Sequence, residues 1–167
     1  MIGLKKIFVD FDKCLGCHTC ELACATAHSQ AKTLLGAVLG GEKPPISIRV
    51  IKESGGLFPL QCRHCTDAPC VKVCRFHALT RDEETGRVDC DLDRCIGCTM
   101  CVMVCPFGAI NEGNSHKVFK CDLCREVGEP SCVAACPTKA LIYEEVGQFS
   151  SNRRHDFVVN YQAIEGE

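Results

Sequence analysis

The chain has 167 residues, only 6% of them aromatic, and it contains no Trp. A conventional hydrophobic core would be thin at this length, so we expect bound metal to supply part of the folding free energy. The formal net charge is −2. This charge, without a basic stripe, excludes a nucleic-acid-binding surface.

The chain also lacks targeting signals. No apolar run reaches the roughly 18 residues of a membrane span, and the first ten residues have no apolar leader or twin arginine. We therefore expect a cytoplasmic protein without a membrane span. In such a reducing compartment, cysteine-rich segments bind metal rather than form disulfides.

The elements predicted for the first part of the chain are short. Residues 7–11 are typical of a strand, and residues 25–39 favour a helix that the following glycines and prolines end. Residues 46–51 alternate as a strand does. Gly55, Gly56 and Pro59 then predict a loop that leads to Cys62.

Sixteen of the 17 cysteines form four quartets, each within 11 to 16 residues. The quartets are, in chain order, Cys14, Cys17, Cys20 and Cys24; Cys62, Cys65, Cys70 and Cys74; Cys95, Cys98, Cys101 and Cys105; and Cys121, Cys124, Cys132 and Cys136.

The spacing of the first and third quartets, C-x2-C-x2-C-x3-C, is that of a ferredoxin iron–sulfur ligand run. Gly16 and Gly97 directly precede the second cysteine of these quartets, where a positive φ would let the backbone approach the inorganic core. The fourth cysteine follows one helical turn after the third, and in two-cluster ferredoxins it ligates the other cluster. Zinc is disfavoured, because its sites usually combine two separated C-x2-C pairs.

The second and fourth quartets have longer gaps and would be ambiguous alone. A repeat, C-x-x-x-A-[IL], follows the second, third and fourth quartets, and turn or strand residues come after it. This pattern predicts a hairpin attached to each cluster loop.

The linkers suggest how the quartets pair. The first and second quartets are 37 residues apart, whereas only 20 residues join the second to the third. The lengths favour a nested layout, with an inserted module at 62–110, an outer module made of 1–61 and 111–147, and a tail at 148–167. A tandem layout, which pairs first with second and third with fourth, stays the alternative.

Residues 62–74 (CRHCTDAPCVKVC) and 121–137 (CDLCREVGEPSCVAACP) resemble the electron-transfer subunits of the dimethyl-sulfoxide-reductase type. The likeness extends over about residues 7–145 and is greatest to the subunits that serve carbon monoxide dehydrogenase, formate dehydrogenase, hydrogenase or tungsten aldehyde oxidoreductase. Ala25 and Arg75 depart from the pattern, because the family has Pro after the corresponding cysteines.

The resemblance implies an α+β fold of two interlocked ferredoxin-like modules, with short hairpins and short helices around four 4Fe-4S clusters. It implies that quartets one and four pair, as do quartets two and three. The implied ligand sets are Cys14, Cys17, Cys20 and Cys136; Cys121, Cys124, Cys132 and Cys24; Cys62, Cys65, Cys70 and Cys105; and Cys95, Cys98, Cys101 and Cys74.

The expected function is that of a subunit relaying single electrons between a catalytic oxidoreductase subunit, with molybdenum, tungsten or another metal centre, and a second carrier. We expect no catalytic site of its own. A free-standing polyferredoxin carrier, a cluster with an open iron that performs chemistry, and a zinc-structured interaction module are the alternatives.

The remaining residues are assigned as follows. Of the cations near ligands, Arg75 is the best candidate for tuning a cluster, and most of the others are expected to be solvated surface. His18, His64 and His77 are expected in surface or packing roles, and Cys90 as a small buried strand residue. The tail from Gln148 is either a docking segment or a packed or frayed terminus.

Overall fold

A computed structural model describes residues 4–165 of the chain. The helices are α1 (Thr19–His28), α2 (Leu34–Leu39), α3 (Pro69–Val73), α4 (Met100–Val104), α5 (Ser131–Ala134) and α6 (Val146–Glu165). The strands are β1 (Lys5–Val9), β2 (Arg49–Glu53), β3 (Gly56–Leu60), β4 (Leu79–Arg81), β5 (Val88–Cys90), β6 (Ile110–Glu112), β7 (Val118–Lys120) and β8 (Leu141–Glu145). The predicted mixture of short helices and short hairpins is confirmed.

The described strands pair into four two-stranded antiparallel sheets. Three are local hairpins, β2–β3, β4–β5 and β6–β7. The fourth joins β1 to β8, with Lys5 opposite Glu145 and Val9 opposite Leu141. The segment that precedes the first quartet is therefore bonded to the segment that follows the fourth.

The repeat after the second, third and fourth quartets forms the same structure three times. In each copy the Ala and the Ile or Leu are almost fully buried: Ala78 and Leu79, Ala109 and Ile110, Ala140 and Leu141. The two inner copies open the predicted hairpins β4–β5 and β6–β7. The hairpin predicted after the fourth quartet is wrong, because the last copy opens β8, which pairs with the distant strand β1.

The apolar interior has two parts. One part joins cysteines of the first and fourth quartets to Ile7, Ile48 and Leu141. The other joins cysteines of the second and third quartets to Val88 and Val118. The helices follow the same division, because α1 packs on α5 and α3 packs on α4.

The single helix predicted for residues 25–39 is wrong, because the structure has two helices there. α1 begins earlier, inside the first quartet, and ends at His28. Both carboxylate oxygens of Glu42 accept backbone hydrogen bonds from residues 30 and 31. Thr33 then caps α2 by accepting from Gly36 N–H. These side-chain bonds replace the helical bonds that a continuous helix would need.

The predicted loop at Gly55–Pro59 is also wrong, because Gly56 and Pro59 belong to strand β3. Val50 lies opposite Pro59 in the β2–β3 register. Proline lacks an N–H donor, but both strands of a two-stranded sheet are edges, where proline is tolerated. Gly56 has φ +135°, which allows the sharp turn out of β2.

The tail forms helix α6, whose first half packs on the β1–β8 sheet. Phe149 stacks on Phe8 at 3.8 Å between ring centroids. Arg153 lies 3.5 Å from the carboxylate of Asp10. Phe157 and Val158, further along the helix, are exposed. Neither α6 nor any shorter helix within residues 4–165 is long and apolar enough to cross a bilayer.

Candidate metal centres

All 17 cysteines lie within the described residues, and all carry free thiols. The sixteen cysteines of the quartets are positioned by four loops, each with the short helix that follows it, α1, α3, α4 or α5, whereas Cys90 lies in strand β5. Every sulfur is therefore available as a ligand.

Each quartet has a residue in the left-handed conformation directly before its second cysteine. The φ angles are +67° at Gly16, +45° at His64, +71° at Gly97 and +58° at Leu123. Left-handed residues in such turns aim successive N–H groups into one concavity, which suits an anionic group. The two glycines were predicted, and the two non-glycine residues could have been found from their identical position in the quartet.

The site at Gly97 has no room for a side chain. A Cβ placed there would lie 2.2 Å from the backbone oxygen of His116. At Gly16 the nearest atoms belong to the Leu57 side chain, at 3.0 Å, which can rotate away. Glycine is thus required at Gly97 for space as well as for its backbone conformation.

The third cysteine of every quartet is the second residue of a short helix and is buried. These residues are Cys20, Cys70, Cys101 and Cys132. The fourth cysteine follows four residues later, in or just after the same helical turn. Each short helix therefore places its third and fourth cysteines one helical turn apart, as the i+4 spacing predicted.

Two cavities bring together cysteines from different quartets. One is lined by Cys14, Cys17, Cys20 and Cys136. The other is lined by Cys95, Cys98, Cys101 and Cys74. Each includes one exposed cysteine, Cys17 or Cys98, so we call these two sets the open groups.

A third set lies deeper in the protein and consists of Cys121, Cys124, Cys132 and Cys24, all of them buried. Burial strongly raises the pKa of the Cys132 thiol. Negative charge on the other three sulfurs, and on Cys20 of an open group, also raises this pKa.

The fourth set, Cys62, Cys65, Cys70 and Cys105, is linked in the same way. Burial raises the pKa of Cys70 to about 11, and Cys62 and Cys105 contribute to that rise. Burial likewise raises the pKa of Cys62, and negative charge on Cys105 and Cys65 contributes to that rise. None of these four cysteines is exposed, and we call this set and the preceding one the closed groups.

The donor chemistry of all four groups suits an iron–sulfur cluster. Each group offers four sulfurs, the ligand set of a 4Fe-4S cluster. Buried thiols with a raised pKa keep their protons at neutral pH unless a cation replaces them. Metal binding at these groups must therefore release protons.

Comparison with known families agrees with this donor set. A sequence model of the 4Fe-4S dicluster domain matches residues 54–146, which contain the second, third and fourth quartets. A 4Fe-4S binding domain matches residues 11–27, which contain the first. The chain belongs to the 4Fe-4S dicluster domain family.

Curated relatives of this dicluster protein are named as an iron–sulfur protein and as an electron transport protein. It is 41% identical to an "Iron-sulfur protein" of Rhodospirillum rubrum over 94 residues, 56% of this chain and 48% of that one. It is 40% identical to "Electron transport protein HydN" of Escherichia coli K12 over 94 residues, 56% of this chain and 51% of that one. The chain thus spans about half the length of these relatives, and its 4Fe-4S dicluster and 4Fe-4S binding domains are of the ferredoxin type.

Among solved structures, a chain of the "Active site complex BamBC of Benzoyl Coenzyme A reductase in complex with Benzoyl-CoA" is similar. It is 24% identical, the alignment covers 97% of each chain, and the TM-score is 0.48.

Lys120 of the dicluster domain is a buried cation, and only 4% of it is exposed. Its Nζ donates to the carbonyl of Val88 and, at 2.6 Å, to that of Cys121. The expectation of solvated surface is wrong for this lysine. Its side chain instead bridges hairpin β4–β5 and the fourth quartet, two segments that are remote in sequence.

His64 is also buried in the dicluster domain, as part of the packing. Its Nδ1 accepts a hydrogen bond from Val88 N–H at 2.9 Å. Burial and, as the second cause, the charge of Lys120 together lower the pKa of His64 to about 3. The imidazole is therefore neutral, with its proton on Nε2.

Sequence reasoning missed His28, which ties α1 to the fourth quartet. Its Nε2 lies 3.2 Å from the Asp122 carboxylate, and its Nδ1 lies 2.8 Å from the carbonyl of Cys24. The hydrogen bond to Asp122 raises the pKa of His28 to about 11. The available signal was its position one helical turn after Cys24.

Cys90 lies at the end of β5, as expected for a strand residue, and is half-buried. Burial raises the pKa of its thiol to about 12, and the nearby Cys95 adds to that rise. Arg75, the cation chosen from the sequence for tuning, is exposed. Solvent screens a charge in that position.

Proposed function

We propose that this protein relays single electrons through four 4Fe-4S clusters, one at each open and each closed group. The ligand sets are Cys14, Cys17, Cys20 and Cys136; Cys121, Cys124, Cys132 and Cys24; Cys62, Cys65, Cys70 and Cys105; and Cys95, Cys98, Cys101 and Cys74. A bound cluster supplies one-electron chemistry. The observation that carries the proposal is the pair of cavities in which three cysteines of one quartet meet the last cysteine of another.

The proposal includes two interlocked modules, 1–61 with 111–147 and 62–110. It is supported by the β1–β8 pairing and by the packing of α1 on α5 and of α3 on α4. The two apolar clusters also divide the quartets into first with fourth and second with third.

The proposed order of centres differs from the order of the quartets along the chain. Negative charge on the Cys20 sulfur of an open group raises the pKa of Cys132 in a closed group. Negative charge on Cys62 of the other closed group raises the pKa of Cys121. Helix α3 then joins Cys70 to Cys74 of the second open group. These electrostatic effects and helix α3 support a line of centres that runs from one open group through both closed groups to the other open group.

The two ends of that line are the proposed contact points for partners. Cys17 and Cys98 are exposed there, beside the exposed apolar side chains of Leu15 and Ile96. One partner would be a catalytic subunit of a molybdenum or tungsten oxidoreductase, a carbon monoxide dehydrogenase or a hydrogenase, and the other a second carrier. The family resemblance and the electron-transport names of the relatives support this assignment.

The tail and the location belong to the same proposal. The exposed apolar residues of α6, Phe157 and Val158, would dock on a partner subunit. A cytoplasmic location would keep sixteen ligand thiols reduced.

The decisive experiment is an anaerobic preparation with iron and acid-labile sulfide analysis. We expect about 16 iron and about 16 sulfide per chain, because each 4Fe-4S cluster holds four of each. Stoichiometric zinc without sulfide would contradict the proposal. If the cluster-loaded chain is purified from cells and no oxidoreductase subunit co-purifies with it, a free-standing polyferredoxin carrier is favoured.

A further inference from the structure

The positive charge of Lys120 has no carboxylate as an ion-pair partner. Among the described residues no Asp or Glu forms an ion pair with it, although the neighbouring Arg87 is paired with Asp89 at 2.7 Å. Two backbone carbonyls accept from its Nζ. Hydrogen bonds satisfy two of its three donors but leave its net charge uncompensated.

A buried cation without a counter-charge is strongly unfavourable. The charge of Lys120 lowers the pKa of Cys90 and that of His64. It has the same effect on thiols of both closed groups, Cys121 of one and Cys62 and Cys70 of the other. Those sulfurs are neutral as thiols and negative as ligands. The missing counter-charge is thus present only when the closed groups are loaded.

We propose that Lys120 is the internal counter-cation of the two closed groups and that it raises their reduction potentials. The inference rests on the proposed function, because it needs clusters at these groups. The physical reason is that reduction adds a negative charge close to a fixed positive charge, in a place where solvent does not screen the attraction.

The chain contains matched positions for a test, because Lys120 directly precedes the first cysteine of its quartet. Lys13 occupies this position in the first quartet, where its side chain is 57% exposed and paired with Asp10 at 3.2 Å. Gln61 occupies it in the second quartet and is buried and uncharged. Glutamine is therefore a residue that the chain itself accepts, buried, at this position.

The experiment compares the full-length, cluster-loaded wild type with Lys120→Gln, Lys120→Arg and Lys13→Gln in redox titrations followed by electron paramagnetic resonance. Signals altered in Cys124→Ser and Cys65→Ser variants identify the closed groups. In Lys120→Gln we expect the equilibrium constant for reduction to fall roughly tenfold at one or both closed groups, which is about 59 mV for a one-electron centre. Lys120→Arg and Lys13→Gln should stay within about twofold of wild type.

Unchanged potentials in loaded Lys120→Gln, or equal shifts in Lys120→Gln and Lys120→Arg, would overturn the inference. If Lys120→Gln fails to retain iron, full iron and wild-type potentials in Lys120→Arg would support a requirement for the charge. Loss of iron in both variants would show a packing role and would overturn it. A wild-type protein without iron and sulfide would instead overturn the proposed function.

Discussion

The open and closed groups have the same donor set but different surroundings. Each open group has one exposed cysteine, whereas the closed group of Cys24, Cys121, Cys124 and Cys132 is buried at all four positions. The cations differ too, since Lys13 and Arg94 beside the open groups are exposed and ion-paired, and Lys120 beside the closed groups is buried. Under the proposed function, the open groups would exchange electrons with partners, and the closed groups would pass electrons through a low-dielectric interior.

The largest expected effect is at Cys136, the residue that the fourth quartet contributes to an open group. Cys136→Ser should abolish or alter one cluster and leave about 12 to 16 iron per chain, because one ligand of four is changed. The altered resonance should be that of the group containing Cys14.

Cys90→Ser is the matched control and should keep the full iron content, because Cys90 is not in any group. If Cys136→Ser instead altered the resonance of the cluster at the group of Cys95, the tandem layout would be right.

The second largest effect is expected from Gly97→Ala at the other open group. The new Cβ would clash with the His116 carbonyl at 2.2 Å, and a left-handed Ala adds about 1–2 kcal/mol of strain. Bleaching of the iron–sulfur absorbance in guanidinium should therefore be more than tenfold faster than in wild type.

Gly16→Ala is the comparison, because the Leu57 side chain there can move. It should accelerate bleaching clearly less than Gly97→Ala does. Equal bleaching rates in the two variants would show that the left-handed backbone conformation, and not the space for a Cβ, determines the stability of both loops.

A smaller effect is expected from His28→Leu beside a closed group. It removes the hydrogen bond to Asp122, worth about 1 kcal/mol because that carboxylate is partly solvated, and should accelerate bleaching about fivefold. His116→Leu is the control, because the His116–Glu112 pair is exposed and should contribute almost nothing.

The pH dependence has a defined sign. The pKa of His28 is raised to about 11, so its stabilisation is complete below the unfolded value near 6.5 and is lost as pH rises towards 11. The difference between wild type and His28→Leu should therefore shrink above pH 6.5. A difference that grows with pH would contradict the ion pair.

The smallest effect concerns Cys90, the one cysteine outside the groups. Burial raises the pKa of its thiol to about 12, so its alkylation by iodoacetamide should be slow at pH 8 and rise about tenfold per pH unit. Peptide mass spectrometry of the loaded protein measures this rate. Rapid labelling at pH 8 would show that the thiolate is stabilised by a neighbour such as Lys120.

Local features of this protein could be read from its sequence. The cysteine spacing predicted the helical turn between Cys20 and Cys24, and Gly16 and Gly97 predicted left-handed backbone. The repeat predicted hairpins β4–β5 and β6–β7. These features depend on residues within about one turn or one hairpin, where spacing and steric limits determine the geometry.

Other features depended on the tertiary structure. The sequence places cations beside cysteines at Lys13, Arg75 and Lys120, and no local pattern separates them. Only the packing of β7 between hairpin β4–β5 and the fourth quartet buries Lys120, while Arg75 stays in solvent. Burial is decided by segments that are distant along the chain, as in the β1–β8 pairing, and burial determines how strongly a charge acts.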